Sequence, residues 1–265
     1  MIYDAHNHLQ DPRLSDCLDD ILSVCEREGI SRMVVNGTRE TDWPRVLELA
    51  RQHPIVLPSF GFHPWYLGER TAGWQDNLLR HLDAIPSVIG EIGLDRWMEN
   101  PDVEVQEEMF RWQLRLAVER NLPVTIHCLK AWGRLDQILR EEPLPKKGFL
   151  LHSYGGPAEM VEGFVKLGGY FSISGYFAHE RKTKQREAFK RGPPDRLLIE
   201  TDAPDMLPPE SLVQHRMIDP ATGGPVNHPA NLKAIHEFAG ELFEVPVDSL
   251  ALQVGKNFHR LFGFS

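Results

Sequence analysis

Long apolar runs are missing from this chain. Nowhere do about eighteen consecutive apolar residues occur, which argues against a membrane-spanning helix. Cysteine is scarce. Cys17, Cys25 and Cys128 are the full complement of three, so at least one is unpaired, and their spacing matches no zinc knuckle. Basic residues are in the minority, 29 Lys and Arg against 38 Asp and Glu for a formal net charge of −9. That balance argues against a protein that coats nucleic acid with a broad cationic face, though not against one that grips a few phosphates. No GxxxxGK[ST] loop and no GxSxG elbow occur, which removes the simplest nucleotide-binding and serine-hydrolase readings. The opening MIYDAHNHLQ has neither a basic region nor an apolar signal core. With the cysteine usage, this predicts a cytoplasmic protein.

What is present is alternation. Short apolar runs at Met1–His6, Arg32–Asn36, Ile55–Phe60, Ser87–Glu91, Pro123–His127, Phe149–His152, Tyr170–Ser174 and Leu197–Asp202 read as strands. Amphipathic stretches separate them, such as Val105–Arg120 with Met109, Phe110, Leu114, Leu116 and Val118 as its buried stripe. Strands alternating with helices imply parallel crossovers. Eight such units in 265 residues favour a (β/α)8 TIM barrel over an open, doubly wound sheet. No linker, repeat or low-complexity segment divides the chain, so residues 1–265 read as one domain. The least regular stretch is Pro204–Pro229, after the last strand.

The chemistry sits where the strands end. Asp4, His6 and His8 share one parity and would face the same side of an extended strand, with His6 and His8 roughly 7 Å apart by Cα. Neutral imidazoles so placed can converge on an ion, and Asp4 could receive the outer ring N–H of a neighbouring histidine. Four further apolar runs end in Glu91, His127, His152 and Asp202. Any one of these could be a strand-terminal group facing water. Five strand ends of metal-ligand type, gathered on one rim of a barrel, point instead to a common centre. Four imidazoles and two carboxylates suit Zn²⁺, Mn²⁺ or Fe²⁺ on softness, with Mg²⁺ a less natural match. Six ligands exceed what one catalytic zinc with an open position needs. Two divalent ions sharing Glu91 fit better, and such a pair can activate water and stabilise both attacking and leaving oxygens.

His63, in GFHPW after the third strand, is a second candidate for the site. The basic run over residues 179–192 reads as a solvated helix face whose start could reach a phosphate, and Lys130 and Arg134 have similar standing. The six tryptophans read as packing residues rather than a base-stacking platform, although Trp65, Trp97 and Trp132 follow motif strands. Strand alternation aims Cys128 away from the centre.

With these residues in place the sequence resembles the TatD family of metal-dependent deoxyribonucleases, within the broader amidohydrolase-like group. The likeness runs almost end to end through DAHNH, GFHPW, GEIGLD, VTIHC, HSYGG, RLLIETDAP and NFHRLFG. It implies a TIM barrel, the metal ligands His6, His8, Glu91, His127, His152 and Asp202, and a phosphate contact from His63. The departures lie on the substrate side. Leu129 stands where an arginine is common, with Lys130 next; Asn227-His228-Pro229 replaces Asn-Glu-Pro; and Arg96 follows GLD where an aromatic is frequent. The expectation is a monomeric hydrolase of DNA ends or a small phosphodiester. Two divalent ions (Zn²⁺, Mg²⁺ or Mn²⁺) would serve it, with Asp202 and His63 as catalytic groups and His63 and Lys130 binding substrate. The alternatives are hydrolysis of an amide, ester or lactone, and a non-catalytic metal-bound scaffold.

Overall fold

The computed structural model describes residues 1–263. Eight parallel strands follow one another round a single sheet in chain order: β1 (Ile2–Asn7), β2 (Ile30–Asn36), β3 (Val56–Phe60), β4 (Val88–Asp95), β5 (Val124–Leu129), β6 (Phe149–Leu151), β7 (Gly169–Ile173) and β8 (Leu197–Ile199). Their side chains are almost continuously buried, as expected of strands covered on both faces. Around them lie α1 (Leu18–Arg27), α2 (Trp43–Gln52), α3 (Trp74–Ala84), α4 (Val103–Arg120), α5 (Trp132–Glu141), α6 (Val161–Lys166), α7 (Thr183–Arg191), α8 (Leu232–Phe243) and α9 (Val247–Phe262). This is the (β/α)8 barrel expected from the alternation. Within Pro204–Pro229, the stretch without evident regularity, a small antiparallel ribbon forms from β9 (Arg216–Ile218) and β10 (Pro225–Asn227). Its strands are three residues each, too short to carry a periodic signature. Among the described residues no helix is long and apolar enough to cross a membrane.

Two departures from regular pairing shape the mouth of the barrel. Between Ile89 and Ile92, β4 slips against β5, so that three steps on one strand answer two on the other, the geometry by which a bulge re-aims a side chain. Gly90 and Gly93 permit the close approach. A Cβ on Gly90 would lie 1.9 Å from Thr125 Oγ1, and one on Gly93 equally close, 1.9 Å, to the His127 carbonyl oxygen. A similar slip falls between Asp4 and Asn7 of β1, which breaks the simple alternation of Asp4 with His6 and His8.

That slip assigns Asp4 a different task from the one expected. Its carboxylate touches no imidazole. It accepts hydrogen bonds from the Thr201 N–H (3.0 Å), the Thr201 hydroxyl (2.6 Å), Asn7 Nδ2 (3.0 Å) and the His6 N–H (3.2 Å). The backbone adds Asp202 N–H to His6 O (2.9 Å) and His8 N–H to Ala203 O (2.8 Å). Together these stitch β1 to the chain just beyond β8 and close the barrel. At the opposite end α9 braces the same seam: Phe258 stacks on Tyr3 at 4.9 Å, and Asn257 Nδ2 donates to the Pro194 and Leu197 carbonyls, at 2.8 Å each.

Removing the Asp4 carboxylate strands several buried donors, each costly to leave unpaired. Asp4→Ala should therefore destabilise the metal-free protein by about 3 kcal/mol. Urea denaturation in the presence of a chelator measures this, and a midpoint unchanged from wild type would rule out a structural role for the seam.

Candidate metal centre

At the C-terminal mouth of the barrel the strand-end residues converge on the carboxylate of Glu91. One of its oxygens, Oε2, lies 3.3 Å from His6 Nε2 and 3.4 Å from His8 Nε2. The other, Oε1, lies 3.1 Å from His127 Nδ1 and 2.9 Å from His152 Nε2. Asp202 joins the first pair, its Oδ1 standing 3.6 Å from His6 Nε2 and 3.5 Å from His8 Nε2. The backbone places these groups: Glu91 by the slip within β4, and Asp202 by a left-handed conformation (φ +53°) three residues beyond the end of β8.

The outer ring nitrogens determine what the inner ones present. His8 Nδ1 donates to the Asn36 carbonyl (2.8 Å), and His127 Nε2 to Asp95 (2.9 Å). Glu200 stands 3.6 Å from His152 Nδ1, an ion-pair contact rather than a hydrogen bond. Glu200 is itself anchored by the Ser153 N–H (2.8 Å) and the hydroxyls of Ser153 and Ser172. A neutral imidazole whose outer nitrogen is the donor turns a lone pair inward. Here those lone pairs meet carboxylate oxygens, which are also acceptors. The only ion-pair partners of Glu91 and Asp202 among the described residues are histidines.

The inward nitrogens of His8 and His127, acceptors facing acceptors at 3.1–3.5 Å, need positive charge between them. Ligands about 2.0–2.1 Å from a tetrahedral zinc stand about 3.3 Å apart, so the donor set fits a divalent ion in spacing as well as in chemistry. Protons supply the charge otherwise. Burial acts against ionised imidazoles, yet hydrogen bonds donated to Asp202 and Glu91 hold His8 well above its ordinary pKa, and the charges of Glu91 and Glu200 do the same for His152. Burial would raise Glu91 too, but His152, His63 and His6 hold it well below the usual carboxylate range.

His63 stands apart from these four histidines. Its Nε2 is 3.4 Å from Glu91 Oε1 and lies near enough to His127 to share an ion. Its Nδ1, however, accepts the Trp65 N–H at 3.1 Å, which makes Nε2 the protonated nitrogen. Burial lowers its pKa to about 4, so the group is a neutral N–H donor pointing into the centre.

The centre opens into a cleft of about 610 Å³. Its lining includes Arg13, Arg39 and Arg45, none of them singled out from the sequence, together with Trp65, Trp97 and Leu129. Lys130 is exposed, in a left-handed conformation (φ +53°), and its ammonium sits 5.8 Å over the Trp97 ring instead of lining the cleft. The basic run forms α7, away from the cleft, where Arg186 donates to the Phe177 and His179 carbonyls; Arg134 pairs with Glu107. His228 lies beside His215, outside the cleft lining. Cys128 does touch the cleft, but burial raises its thiol and it joins none of the metal-type donor groups.

Asp95, which the sequence reading passed over, links the centre to Trp65 and Trp97. Its Oδ2 receives His127 Nε2 (2.9 Å) and the Trp65 indole N–H (2.6 Å), while Oδ1 receives the backbone N–H groups of Trp97 (2.6 Å) and Met98 (3.1 Å). Burial would raise its pKa, but His127 and these donors bring it to about 2. Its position four residues after Glu91 on the same strand was the available signal.

A barrel with this donor cluster at its C-terminal rim defines a metal-dependent hydrolase. A model of the TatD related DNase family matches residues 3–263, and the chain belongs to that family. It is 31% identical over 265 residues to the uncharacterized metal-dependent hydrolase YabD of Bacillus subtilis, covering 99% of both chains. It is 34% identical to the 3'-5' ssDNA/RNA exonuclease TatD of Erwinia tasmaniensis, over 98% of this chain and 99% of the other. The crystal structure of YjjV, a TatD homolog from Escherichia coli K12, superposes with a TM-score of 0.90 at 28% identity, covering 100% of this chain and 98% of that one.

If Glu91 joins the two groups of donors, Glu91→Gln should release most bound metal, whereas Glu180→Gln, on an exposed turn, should release none. Metal analysis of the purified variants distinguishes the cases, and wild-type ion content in Glu91→Gln would remove Glu91 from the centre.

Proposed function

We propose that this chain hydrolyses phosphodiester bonds at the ends of single-stranded nucleic acid, with two divalent ions bound across Glu91. The observation that carries this reading is the inward lone pairs of His8 and His127 facing the two oxygens of one carboxylate. His6, His8 and Asp202 would hold one ion with Glu91 Oε2; His127 and His152 would hold the other with Oε1. Bound there, the ions supply Lewis acidity that lowers the pKa of water and offsets charge on phosphoryl oxygens.

The remaining steps belong to the protein. The Asp202 carboxylate, which lines the cleft, orients the attacking water and accepts its proton. His63 Nε2–H, neutral and fixed by its bond from Trp65, donates to the phosphoryl oxygen as negative charge develops there. Arg13 and Arg39 face the cleft from the β1 and β2 loops, where they can meet neighbouring phosphates. Their carboxylate partners, Asp11 and Asp205 for Arg13 and Glu69 for Arg39, fix the guanidinium planes in advance. The likeness to the Erwinia exonuclease supports the choice of nucleic acid. Lys130, over Trp97, keeps only an indirect part in substrate binding.

Two variants and one substrate pair test the reading. Asp202→Asn should stay folded and lose about 10²–10⁴ in turnover. His63→Ala should keep its metal and lose roughly 10²–10³. End-labelled linear single-stranded DNA should be shortened by the metal-loaded enzyme while a circular strand survives. Lactone or ester hydrolysis without cleavage of any phosphodiester would overturn the assignment in favour of carbonyl chemistry; rapid cutting of circles would reject the strand-end preference.

A further inference from the structure

Trp65 and Trp97 contradict the expectation that the tryptophans serve packing. Trp43 and Trp74 are buried, and Trp112 and Trp132 pack against the core. Trp65 is 49% exposed and Trp97 64%. The other large exposed apolar residues among those described are Met1, Ile218, Val245, Val247 and Leu252, none of which lines the cleft. The two exposed indoles therefore share the cleft that holds the metal-type donors. Both follow strand ends, where the chain turns outward before the next helix can cover it.

Their placement is maintained by polar contacts. Trp65 donates its indole N–H to Asp95 Oδ2 at 2.6 Å, and its ring meets His63 and His127 edge-on, at 5.2 and 6.2 Å. Trp97 is tied to Asp95 only through its backbone N–H, which leaves its side chain free of hydrogen bonds to that carboxylate. Lys130 Nζ lies 5.8 Å over the Trp97 ring, within the range of a cation–π contact. A face so occupied leaves the other for a flat ligand. Arg13, Arg39 and Arg45 line the same cleft, each held by a carboxylate partner. Exposed indoles in the cleft that holds the metal-type donors suit a base stacked on the rings while its phosphate reaches the centre.

Building on the phosphodiesterase reading, we propose that Trp97 and Trp65 form a nucleobase-stacking subsite and are specificity-determining residues for unpaired strand ends. Stacking uses the π-face that every base possesses, so it tolerates any sequence but requires the base to be out of a duplex stack. Lys130 enters this arrangement as the backing of Trp97.

Trp97→Ala is the clean variant, because it deletes the ring and keeps the backbone N–H that Asp95 receives. The substrates are an octathymidylate and the same strand with abasic sites at the three positions nearest the attacked end. Metal-loaded wild type should favour the base-bearing strand by roughly 5- to 100-fold in kcat/KM. Trp97→Ala should lose that preference chiefly through a raised KM, and Trp97→Phe should retain most of it. Octathymidylate should also quench tryptophan fluorescence of the metal-free protein, and less so in Trp97→Ala, a readout independent of turnover. Equal turnover of the two strands by wild type, or an undiminished preference in Trp97→Ala, would overturn the subsite while leaving the phosphodiesterase assignment intact. Failure of wild type to cut either strand would instead overturn that assignment.

Discussion

Glu91 is a carboxylate forced into the middle of five strand ends, and the arrangement of the mouth follows from the need to balance it. Two glycines let β4 press against β5, and the resulting slip turns Glu91 toward the barrel axis. Once there, its two oxygens face opposite directions, and each must find positive charge while the side chain is almost wholly buried. Histidines answer from β1 and its extension on one side and from the ends of β5 and β6 on the other. An imidazole anchored by its outer nitrogen offers a lone pair inward, so the demand passes from the carboxylate to whatever cation the cluster binds. Divalent ions meet it with little rearrangement, since the ligand atoms already stand at the separations they need.

Orientation of these imidazoles depends on a ring of groups that bind no ion themselves. Asn36 offers a carbonyl, Asp95 and Glu200 offer carboxylates, and serines anchor Glu200 in turn. Asp95 has the widest reach. It holds a histidine of the cluster with one oxygen, shares that oxygen with the indole of Trp65, and fixes the backbone of Trp97 with the other. The two exposed tryptophans and the donor cluster are thus positioned by one buried charge, and His63 is oriented by the backbone N–H of the same Trp65.

Much of this was legible in the sequence because strands buried on both faces leave a simple trace: apolar runs interrupted by an ionisable residue. Glu91, His127, His152 and Asp202 stood out in that way, and the eight-fold alternation identified the barrel. What escaped depends on local breaks in periodicity. Asp4 follows the parity of His6 and His8 on paper, but a slip in β1 turns it to the closing seam. Asp95 and Glu200 look like ordinary polar residues because their partners are distant in sequence. Exposure of Trp65 and Trp97 has no signature in composition, since an indole in a loop reads the same whether a helix covers it or not. Arg13 and Arg39 were hidden in loops whose path only the fold determines.

Helix α4 carries two buried glutamines, residues that a helical pattern would assign to its wet face. Gln113 accepts from the Phe62 N–H at 2.7 Å, and Gln106 both accepts from the Asp95 N–H (2.8 Å) and donates to the Asp95 carbonyl (2.9 Å). One helix therefore grips the β3 loop, with its GFHPW segment, and the end of β4. Barrel enzymes diversify by exchanging the loops that follow their strands. In this chain the β3 loop is tied to helix α4, because a grafted β3 loop whose backbone took another path would leave the buried Gln113 amide without its partner.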